Sequence, residues 1–314
     1  MNEGKLPLQH YRYLIIAGTT KAGTTSLHRY LCDHPQVCKP RRKEIRFFLD
    51  EDYPLKRVYS FTDRFSKYNE FFKGCNNNMV RLDVTPDYLY SGKTPERIKQ
   101  SLSDVKLVFS LRNPIDRLIS WYRFSIQNYF ISKDMTFKEY VRCQTETEGR
   151  NNKAQHQLTL EQGRYYGYLK KYYEIFDSNY ILIIFFEQLK ENPIMVMKKI
   201  CNFSGINEDF YNNYDFEVHN PTYNIRYPLL NRIYKEVSFY LRRIFFKRDN
   251  IRNLFKNIKT NLDSIYLRIN TEQNSKNIAI DDETMKFLRD YYREDIQKLE
   301  NLTGIKTEWL EKIL

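Results

Sequence analysis

The segment from Tyr13 to Leu31 constrains the fold of this chain more than any other part of the sequence. The apolar run Tyr13–Ala17 predicts a buried strand, and a turn rich in glycine and hydroxyl side chains separates it from a helix that begins at about Thr24. A glycine-rich turn that enters a helix points successive backbone N–H groups at an anion, and the helix dipole adds to the attraction. The sequence therefore predicts an anion-binding loop.

The position of its lysine distinguishes this loop from the common phosphate loop. Gly18 and Gly23 have the spacing of G-x-x-x-x-G-K-[ST], but Thr24 and Thr25 follow the second glycine where a lysine is expected. Lys21 lies inside the loop, from which its side chain would reach across a bound group toward a bridging oxygen. The loop therefore favours an anion that is held without a metal ion by lysine, hydroxyl groups and backbone.

Two carboxylates leave a magnesium site possible at this stage. Asp83 and Glu187 lie near the ends of predicted strands, where a phosphate-loop enzyme places the carboxylate that helps to hold Mg²⁺. The strand that ends at Leu111, however, runs into the cation Arg112. The five histidines lack the spacing of a zinc site. On balance the sequence predicts no resident metal.

Strands and helices alternate over the first two thirds of the chain. The predicted strands are Tyr13–Ala17, Met79–Val84, Val105–Leu111 and Tyr180–Phe186. The predicted helices are Thr24–Cys32, Thr94–Ser103, one that starts at Pro114, Tyr165–Phe176 and Pro193–Phe203. This order predicts an α/β fold of the P-loop-like, three-layer kind, with a central parallel sheet flanked by helices.

The pattern changes after Val218. Residues 219–276 give no confident strand and carry many basic but few acidic side chains, and an amphipathic helix follows at about Asp282–Leu302. No repeat, low-complexity tract or clear linker interrupts the sequence. We therefore expect one domain, residues 1–314, with additional helical elements toward the C-terminus.

The charge balance favours an anionic partner. The formal net charge is +12, which suits nucleic acid, an acidic glycan, an anionic lipid or a highly charged cofactor without choosing among them. The basic stretch Arg226–Lys259 is interleaved with tyrosine and phenylalanine, as in a non-catalytic binder of polyanions or nucleic acid. A solvated helical face explains that stretch equally well.

Two further features predict a soluble protein of the cytoplasm. No apolar run reaches the roughly 18 residues that span a bilayer, and the N-terminus does not have the pattern of a signal peptide. The cysteines are odd in number, are scattered and form no C-x-x-C pair, so we expect reduced structural thiols. They are Cys32, Cys38, Cys75, Cys143 and Cys201.

A second polar segment follows the strand Val105–Leu111. Arg112 lies at the carboxyl end of that strand, where open α/β sheets bind ligands, and Ser120 lies about two turns into the next helix. Asn113 is the expected N-cap of this helix and Pro114 its first residue. An arginine and a hydroxyl placed in this way can grip one phosphate from two sides, although a salt-bridged arginine at a helix start would look the same.

The loop "GTTKAGTTSL" together with "LRNPIDRLISWY" resembles the sulfotransferase superfamily. In that family the loop binds the 5′-phosphosulfate of 3′-phosphoadenosine 5′-phosphosulfate (PAPS), and the second motif binds its 3′-phosphate. Carried over by position, Arg112 and Ser120 would hold the 3′-phosphate, and Lys21 would neutralise the oxygen that bridges phosphate and sulfate. The residues that would cradle the phosphosulfate are Lys21, Ala22, Gly23, Thr24, Thr25 and Ser26.

A third segment, "KPRRKEIRFF", is similar to the K-E-x-x-F-F segment of the glycosaminoglycan-type and related bacterial sulfotransferases. The resemblance implies that Glu44 is a general base that takes the proton of the acceptor. Lys43 and Arg46 could keep this carboxylate ionised by opposite charge. From the residues alone, a surface carboxylate among basic neighbours is the alternative. Because some sulfotransferases use a histidine, His28 is kept as a second possible base.

The acceptor side departs from the glycosaminoglycan enzymes. Arg46 stands where they often carry histidine, and Val84 stands where they carry a lysine. The core Thr85-Pro86-Asp87-Tyr88 is kept and is expected to shape the acceptor side. The residues expected to bind the acceptor are Glu44, Arg46, Thr85, Asp87 and Tyr88. A heparan-like acceptor is therefore left open, as is the choice between a hydroxyl and an amine.

The resemblance continues downstream. The segment "HNPTYNIRYPLL" resembles a basic loop that closes over the nucleotide, and Arg226 is its expected contact with the 3′-phosphate. The expected activity is sulfuryl transfer from PAPS to a carbohydrate or small-molecule acceptor by direct in-line displacement, with no metal ion and no nucleic-acid partner. A P-loop nucleotide kinase and a non-catalytic polyanion binder are the alternatives. The oligomeric state stays open.

Overall fold

One parallel sheet organises the chain. The computed structural model describes residues 11–147, 155–216 and 278–309, with short pieces between 224 and 272. Within these residues, five strands pair in the order β2-β3-β1-β4-β5, and every pairing is parallel. The strands are β1 Arg12–Gly18, β2 Val37–Cys38, β3 Val80–Val84, β4 Asp104–Leu111 and β5 Ile181–Phe185.

Helices cover both faces of this sheet. In β1, Tyr13 and Ile15 join one hydrophobic cluster while Leu14 and Ile16 join the other, because successive strand residues point to opposite faces. The described helices are α1 Thr24–Asp33, α2 Ser66–Asn69, α3 Thr94–Ser101, α4 Pro114–Gln127, α5 Phe137–Thr147, α6 Tyr165–Ile175, α7 Phe186–Glu191, α8 Pro193–Ser204 and α9 Asp282–Thr303. The predicted three-layer α/β architecture is confirmed.

The sheet places the anion-binding loop at the centre of its carboxyl edge. The central strand β1 ends at Gly18, and β3 and β4 flank it on either side. The loops that follow these strands therefore meet at one edge, which is where ligands bind in open α/β sheets. The side chain of Asn113 accepts hydrogen bonds from the backbone nitrogens of Ile115 (3.0 Å) and Asp116 (3.3 Å), which confirms the predicted cap of α4.

The structure corrects the prediction for residues 219–276. A short antiparallel pair, β6 Asn224–Ile225 with β7 Thr271–Glu272, lies where no confident strand was expected. Two-residue strands are too short to show an alternating pattern in a sequence. Arg226 and most of the basic stretch 226–259 lie outside the described residues. The single-domain interpretation stays a prediction.

The structure also corrects the expectation of reduced cysteines for two of the five. Cys38 and Cys75 form a disulfide, with their Cα atoms 5.7 Å apart. Cys38 ends β2, and Cys75 follows a short 3-10 helix, Glu70–Phe72, so the fold brings together two residues that are 37 positions apart. Spacing along the chain could not reveal this pair. No helix within the described residues is long and apolar enough to cross a bilayer.

Candidate active site

The loop between β1 and α1 has the backbone that its glycine pattern predicts. Gly23 adopts a left-handed φ of 77°, and a Cβ atom at that position would lie only 2.7 Å from the Leu189 side chain. The left-handed φ favours glycine there, and any larger residue would also force the Leu189 and Phe186 side chains to move. Lys21 is also left-handed, with φ 68°, although it is not a glycine. Non-glycine residues in this region are strained, and such strain is concentrated at functional sites.

Lys21 is a desolvated cation. Its pKa is lowered to about 8, mainly by burial and in addition by the nearby charges of Arg112 and Arg117. Its Nζ lies 4.5 Å from the centre of the Phe124 ring. Three positive side chains thus gather around one loop, and the arrangement attracts an anion.

Arg112 lies beside the loop, as its position after β4 predicts. Its Nη1 donates a hydrogen bond to the backbone oxygen of Lys21 at 3.1 Å, and its guanidinium lies over the Phe186 ring, 4.6 Å from the ring centre. Ser120 lies on α4 and is largely buried. The fold therefore brings Arg112 and Lys21 together, while a grip of Arg112 and Ser120 on one phosphate stays a prediction.

Arg117 is a residue of the site that the sequence reasoning missed. It is fully buried behind the loop, where Nε donates to Thr19 Oγ1 (3.1 Å) and Nη2 donates to Thr20 Oγ1 (3.3 Å). Trp121, one helical turn farther along α4, donates from Nε1 to the same Thr20 hydroxyl at 3.0 Å. The i, i+4 spacing of Arg117 and Trp121 is the signal that could have identified this face of the helix.

The turn around Glu44 brings a carboxylate toward the loop. The Glu44 carboxylate pairs with Arg46 Nη2 at 2.6 Å and lies 3.7 Å from Lys43 Nζ. Lys43 Nζ also donates to Thr25 Oγ1, in the first turn of α1, at 2.6 Å. Both flanking cations therefore contact the carboxylate, and Lys43 joins Glu44 to a residue of the predicted phosphosulfate cradle.

Arg46 is held more firmly than a free acceptor-binding side chain. Besides its ion pair with Glu44, it donates from Nη1 to the backbone oxygen of Lys56 at 3.0 Å. A guanidinium fixed at both ends of its fork orients the carboxylate it contacts. Arg46 therefore positions Glu44 in this structure, and its contact with an acceptor stays a prediction.

His28 lies on α1 and faces the same region. Its Nε2 is 3.5 Å from Cys32 Sγ. Burial lowers its pKa to about 4, and the charges of Lys43 and Lys39 act in the same direction. His28 is therefore neutral at pH 7 and remains chemically able to take a proton. Glu44 and His28 therefore both lie near the loop. The choice between them as the base stays open.

The Thr85-Pro86-Asp87-Tyr88 core lies beneath this region. The Thr85 and Tyr88 side chains are fully buried and donate hydrogen bonds to Asp83, while Asp87 accepts one from Tyr53 at 3.0 Å. The expected role of this core in shaping the acceptor side stays a prediction, as does its direct contact with an acceptor.

Asp83 and Glu187, the two carboxylates considered as magnesium ligands, both accept hydrogen bonds from protein groups. Asp83 is fully buried among the hydroxyls of Thr85 and Tyr88. Glu187 accepts a hydrogen bond from the Asn113 backbone nitrogen at 2.9 Å, which ties the start of α7 to the start of α4. Among the described residues, no group of three or more histidine, cysteine, aspartate or glutamate side chains is arranged to hold a metal ion.

The three-layer fold, the loop with an internal lysine and the adjacent arginine define a protein of the sulfotransferase class. The family model of the sulfotransferase domain matches residues 12–239. Because this match covers well over half of the chain, the chain belongs to the sulfotransferase domain family, as its sequence motifs predict.

Two relatives illustrate how far the similarity extends. The membrane-associated sulfotransferase kil1 of Dictyostelium discoideum is 34% identical over 113 residues, which are 36% of this chain and 23% of that protein. The human bifunctional heparan sulfate N-deacetylase/N-sulfotransferase 2 is 26% identical over 200 residues, which are 61% of this chain and 22% of that protein. The chain thus spans less than a quarter of the length of these relatives.

A solved structure supports the same fold. The crystal structure of a sulfotransferase from Alicyclobacillus acidocaldarius superposes with a TM-score of 0.66 at 20% identity. The match covers 95% of this chain and 98% of the other. At this level of identity the likeness extends to the fold, and the chemistry must be argued from the site itself.

Proposed function

We propose that this protein transfers a sulfuryl group from PAPS to a hydroxyl or amine of a carbohydrate or small-molecule acceptor. Membership of the sulfotransferase domain family supports the reaction class. The observation that carries the proposal is the pair of contacts made by Lys43, which reaches Thr25 at 2.6 Å and Glu44 at 3.7 Å. Through it, a carboxylate able to act as a base stands next to an anion-binding loop.

The residues around the loop fit a nucleotide with several negative charges. The backbone N–H groups at the start of α1 and the Lys21 ammonium suit the phosphosulfate end. Arg112 and Ser120 would take the 3′-phosphate, with Arg226 as a further contact from outside the described residues. The cradle consists of Lys21, Ala22, Gly23, Thr24, Thr25 and Ser26.

The chemistry assigned to these residues is a single displacement. PAPS, when bound, supplies the sulfuryl group together with a phosphate leaving group. As the acceptor oxygen or nitrogen bonds to sulfur, the bond between sulfur and the bridging oxygen breaks, and the acceptor proton passes to Glu44. Lys21 and the loop N–H groups stabilise the charge that develops on the leaving phosphate. The electron pair of the broken bond stays with that phosphate.

The surroundings of Glu44 favour an acceptor that carries negative charge. Arg42, Lys43 and Arg46 lie within electrostatic reach of this carboxylate, and Lys39 is exposed on the same segment. An acidic sugar would gain from these charges, whereas a neutral acceptor would not. We therefore propose an acidic carbohydrate as the first acceptor class to test, with small hydroxylated compounds as the second.

Labelled PAPS and a panel of acidic glycans, neutral glycans and small hydroxylated compounds test the proposal. Glu44→Gln should lower kcat by about 10²- to 10⁴-fold, because it removes the base. Its binding of adenosine 3′,5′-bisphosphate, measured by calorimetry, should stay close to that of the wild type. The matched variant is His28→Asn, which removes the competing base from α1.

The outcomes separate the alternatives. Retained turnover in Glu44→Gln together with a large loss in His28→Asn would transfer the role of base to His28. Magnesium-dependent ATP turnover without sulfuryl transfer would support a P-loop kinase. Nucleic-acid binding that weakens steeply with salt, without turnover, would support a polyanion binder.

The cellular location is also a matter of proposal. The sequence favours the cytoplasm, whereas the Cys38–Cys75 pairing supports an oxidising compartment, because cytosolic thiols are kept reduced. One relative is described as membrane-associated. Thiol trapping in freshly lysed cells, followed by peptide mapping, tests the cytoplasmic assignment, which predicts that both cysteines are reduced.

A further inference from the structure

A buried polar cluster lies beneath the turn that carries Glu44. At its centre is Asp83, which is fully buried in β3. Its Oδ1 accepts a hydrogen bond from Thr85 Oγ1 at 2.7 Å, and its Oδ2 accepts from the hydroxyls of Tyr88 (2.9 Å) and Tyr68 (3.3 Å). A buried carboxylate is costly unless donors surround it, so this arrangement must be maintained by the fold.

The cluster reaches the backbone that follows Glu44. The Arg46 backbone nitrogen donates to Thr85 Oγ1 at 3.3 Å, and the Phe48 backbone nitrogen donates to the Tyr88 hydroxyl at 3.4 Å. The Ile45 backbone amide is a further donor to the Asp83 carboxylate. The backbone after Glu44 is therefore fastened to Asp83 directly and through two hydroxyls.

The conformation of the turn has to be stabilised by hydrogen bonds of this kind. Glu44 and Arg46 both adopt left-handed backbone conformations, with φ of 58° and 64°. A non-glycine residue in this region costs of order 1–3 kcal/mol and persists only where the surroundings hold it. The left-handed turn also brings the Arg46 guanidinium back onto the Glu44 carboxylate, at 2.6 Å. The direction of the Glu44 side chain thus depends on hydrogen bonds made below the turn.

We propose that Asp83 is a positioning residue, which acts through Thr85 to hold the Glu44 turn in its left-handed conformation and so aims the Glu44 carboxylate at the acceptor. The catalytic part of this inference rests on the proposed function. Asp83 itself touches no reacting atom in this scheme. Its carboxylate is an acceptor for the backbone amides and hydroxyls of the turn, a task that a buried apolar residue cannot perform.

The test uses Thr85→Val, which keeps the shape of the side chain and removes the hydroxyl that connects Arg46 to Asp83. Hydrogen exchange of the peptide spanning residues 43–48 should become faster in this variant. With an active acceptor, kcat should fall by about 10²-fold, while the KM for the acceptor and the affinity for adenosine 3′,5′-bisphosphate stay unchanged. Thr85→Ser, which keeps the hydroxyl, should restore both exchange and kcat.

A matched variant separates positioning from general stability. Tyr68→Phe removes the hydroxyl that donates to the same carboxylate, and it keeps the ring that packs against Phe47 and Phe48. It should lower the melting temperature without changing kcat or the exchange of residues 43–48. An equal loss of kcat in Tyr68→Phe and Thr85→Val would show that the cluster acts only through stability and would overturn the proposal.

The remaining outcomes are also decisive. A raised acceptor KM with unchanged kcat in Thr85→Val would make Thr85 a direct acceptor contact and would contradict positioning. If the wild type transfers no sulfuryl group to any acceptor, the proposed function fails, and hydrogen exchange still decides the structural claim. Unchanged exchange of residues 43–48 in Thr85→Val would then refute it.

Discussion

Lys43 Nζ donates a hydrogen bond to Thr25 Oγ1 at 2.6 Å, and the same ammonium lies 3.7 Å from the Glu44 carboxylate. One side chain therefore connects the helix that follows the anion-binding loop with the turn that carries the proposed base. Burial lowers the pKa of Lys43, and the Glu44 carboxylate raises it in opposition. The carboxylate thus helps to keep this partly desolvated cation charged.

Removing either side chain of the Lys43–Thr25 contact should lower kcat/KM, and the two losses should not be additive. We expect Lys43→Met and Thr25→Val each to lower kcat/KM, and the double variant to lose less than the sum of the two losses. The reason is that residues in direct contact share one interaction, with coupling energies of about 0.5–3 kcal/mol. A double-mutant cycle on initial rates measures the coupling.

Lys39→Met is the control for this cycle. Lys39 is exposed on the same segment, and its substitution removes the same charge without removing the contact with Thr25. Its effect should add to that of Thr25→Val. Additive behaviour of Lys43→Met with Thr25→Val would show that the contact does not contribute to turnover.

Donor binding should depend on pH through Lys21. The pKa of this side chain is about 8 in the unliganded protein, so the ammonium is charged below that pH and neutral above it. Affinity for adenosine 3′,5′-bisphosphate should therefore be highest below pH 8 and fall by about tenfold between pH 7 and pH 9. Calorimetric titrations across this range measure the change.

Lys21→Arg is the matched variant, because arginine stays charged throughout this range. Its donor affinity should vary little between pH 7 and pH 9, even if the absolute affinity is lower. An equal decline in the variant and the wild type would assign the pH dependence to another group, such as Lys43.

The preference for a nucleotide with a 3′-phosphate should depend on Arg112 and Ser120. We expect Arg112→Met to weaken binding of adenosine 3′,5′-bisphosphate by about tenfold to a hundredfold, because a hydrogen bond to a charged group contributes about 1.5–3 kcal/mol. Ser120→Ala should have a smaller effect in the same direction. Binding of adenosine 5′-monophosphate, which lacks the 3′-phosphate, provides the comparison. If Arg112→Met weakens the binding of both nucleotides equally, Arg112 holds the loop rather than the 3′-phosphate.

The disulfide between Cys38 and Cys75 should stabilise the segment that leads to Glu44. It closes a loop between residues 37 positions apart, for which the constraint on the unfolded chain corresponds to about 2–4 kcal/mol. Cys75→Ser, or reduction of the wild type, should lower the free energy of unfolding by this amount in urea titrations. Non-reducing peptide mapping should recover the two cysteines in one linked fragment. Equal stability of the reduced and oxidised protein would contradict a structural role.

Local patterns in the sequence were sufficient for four of the five strands of the sheet and for the loop that carries Lys21. The strand–turn–helix pattern around Lys21 and the start of α4 at Pro114 are found as predicted, because they depend on periodicity, glycine spacing and capping within a few residues. The strand β2 and the helices α2, α5 and α7 were not predicted. β2 has only two residues. α5 begins with a capping box that the sequence reasoning missed: the Thr136 backbone nitrogen donates to the Glu139 carboxylate at 2.7 Å, and the Glu139 backbone nitrogen donates to Thr136 Oγ1 at 3.2 Å.

The amino-acid sequence by itself determined the class of fold, the anion-binding loop and the family, since each depends on residues that are close together along the chain. Only the tertiary structure decided which distant groups support that loop. It placed Lys43 on Thr25 across 18 positions, Arg117 on Thr19 across 98 positions, and Asp83 beneath the Glu44 turn. These contacts follow from how helices and strands pack into three layers, and no local periodicity of the sequence records them.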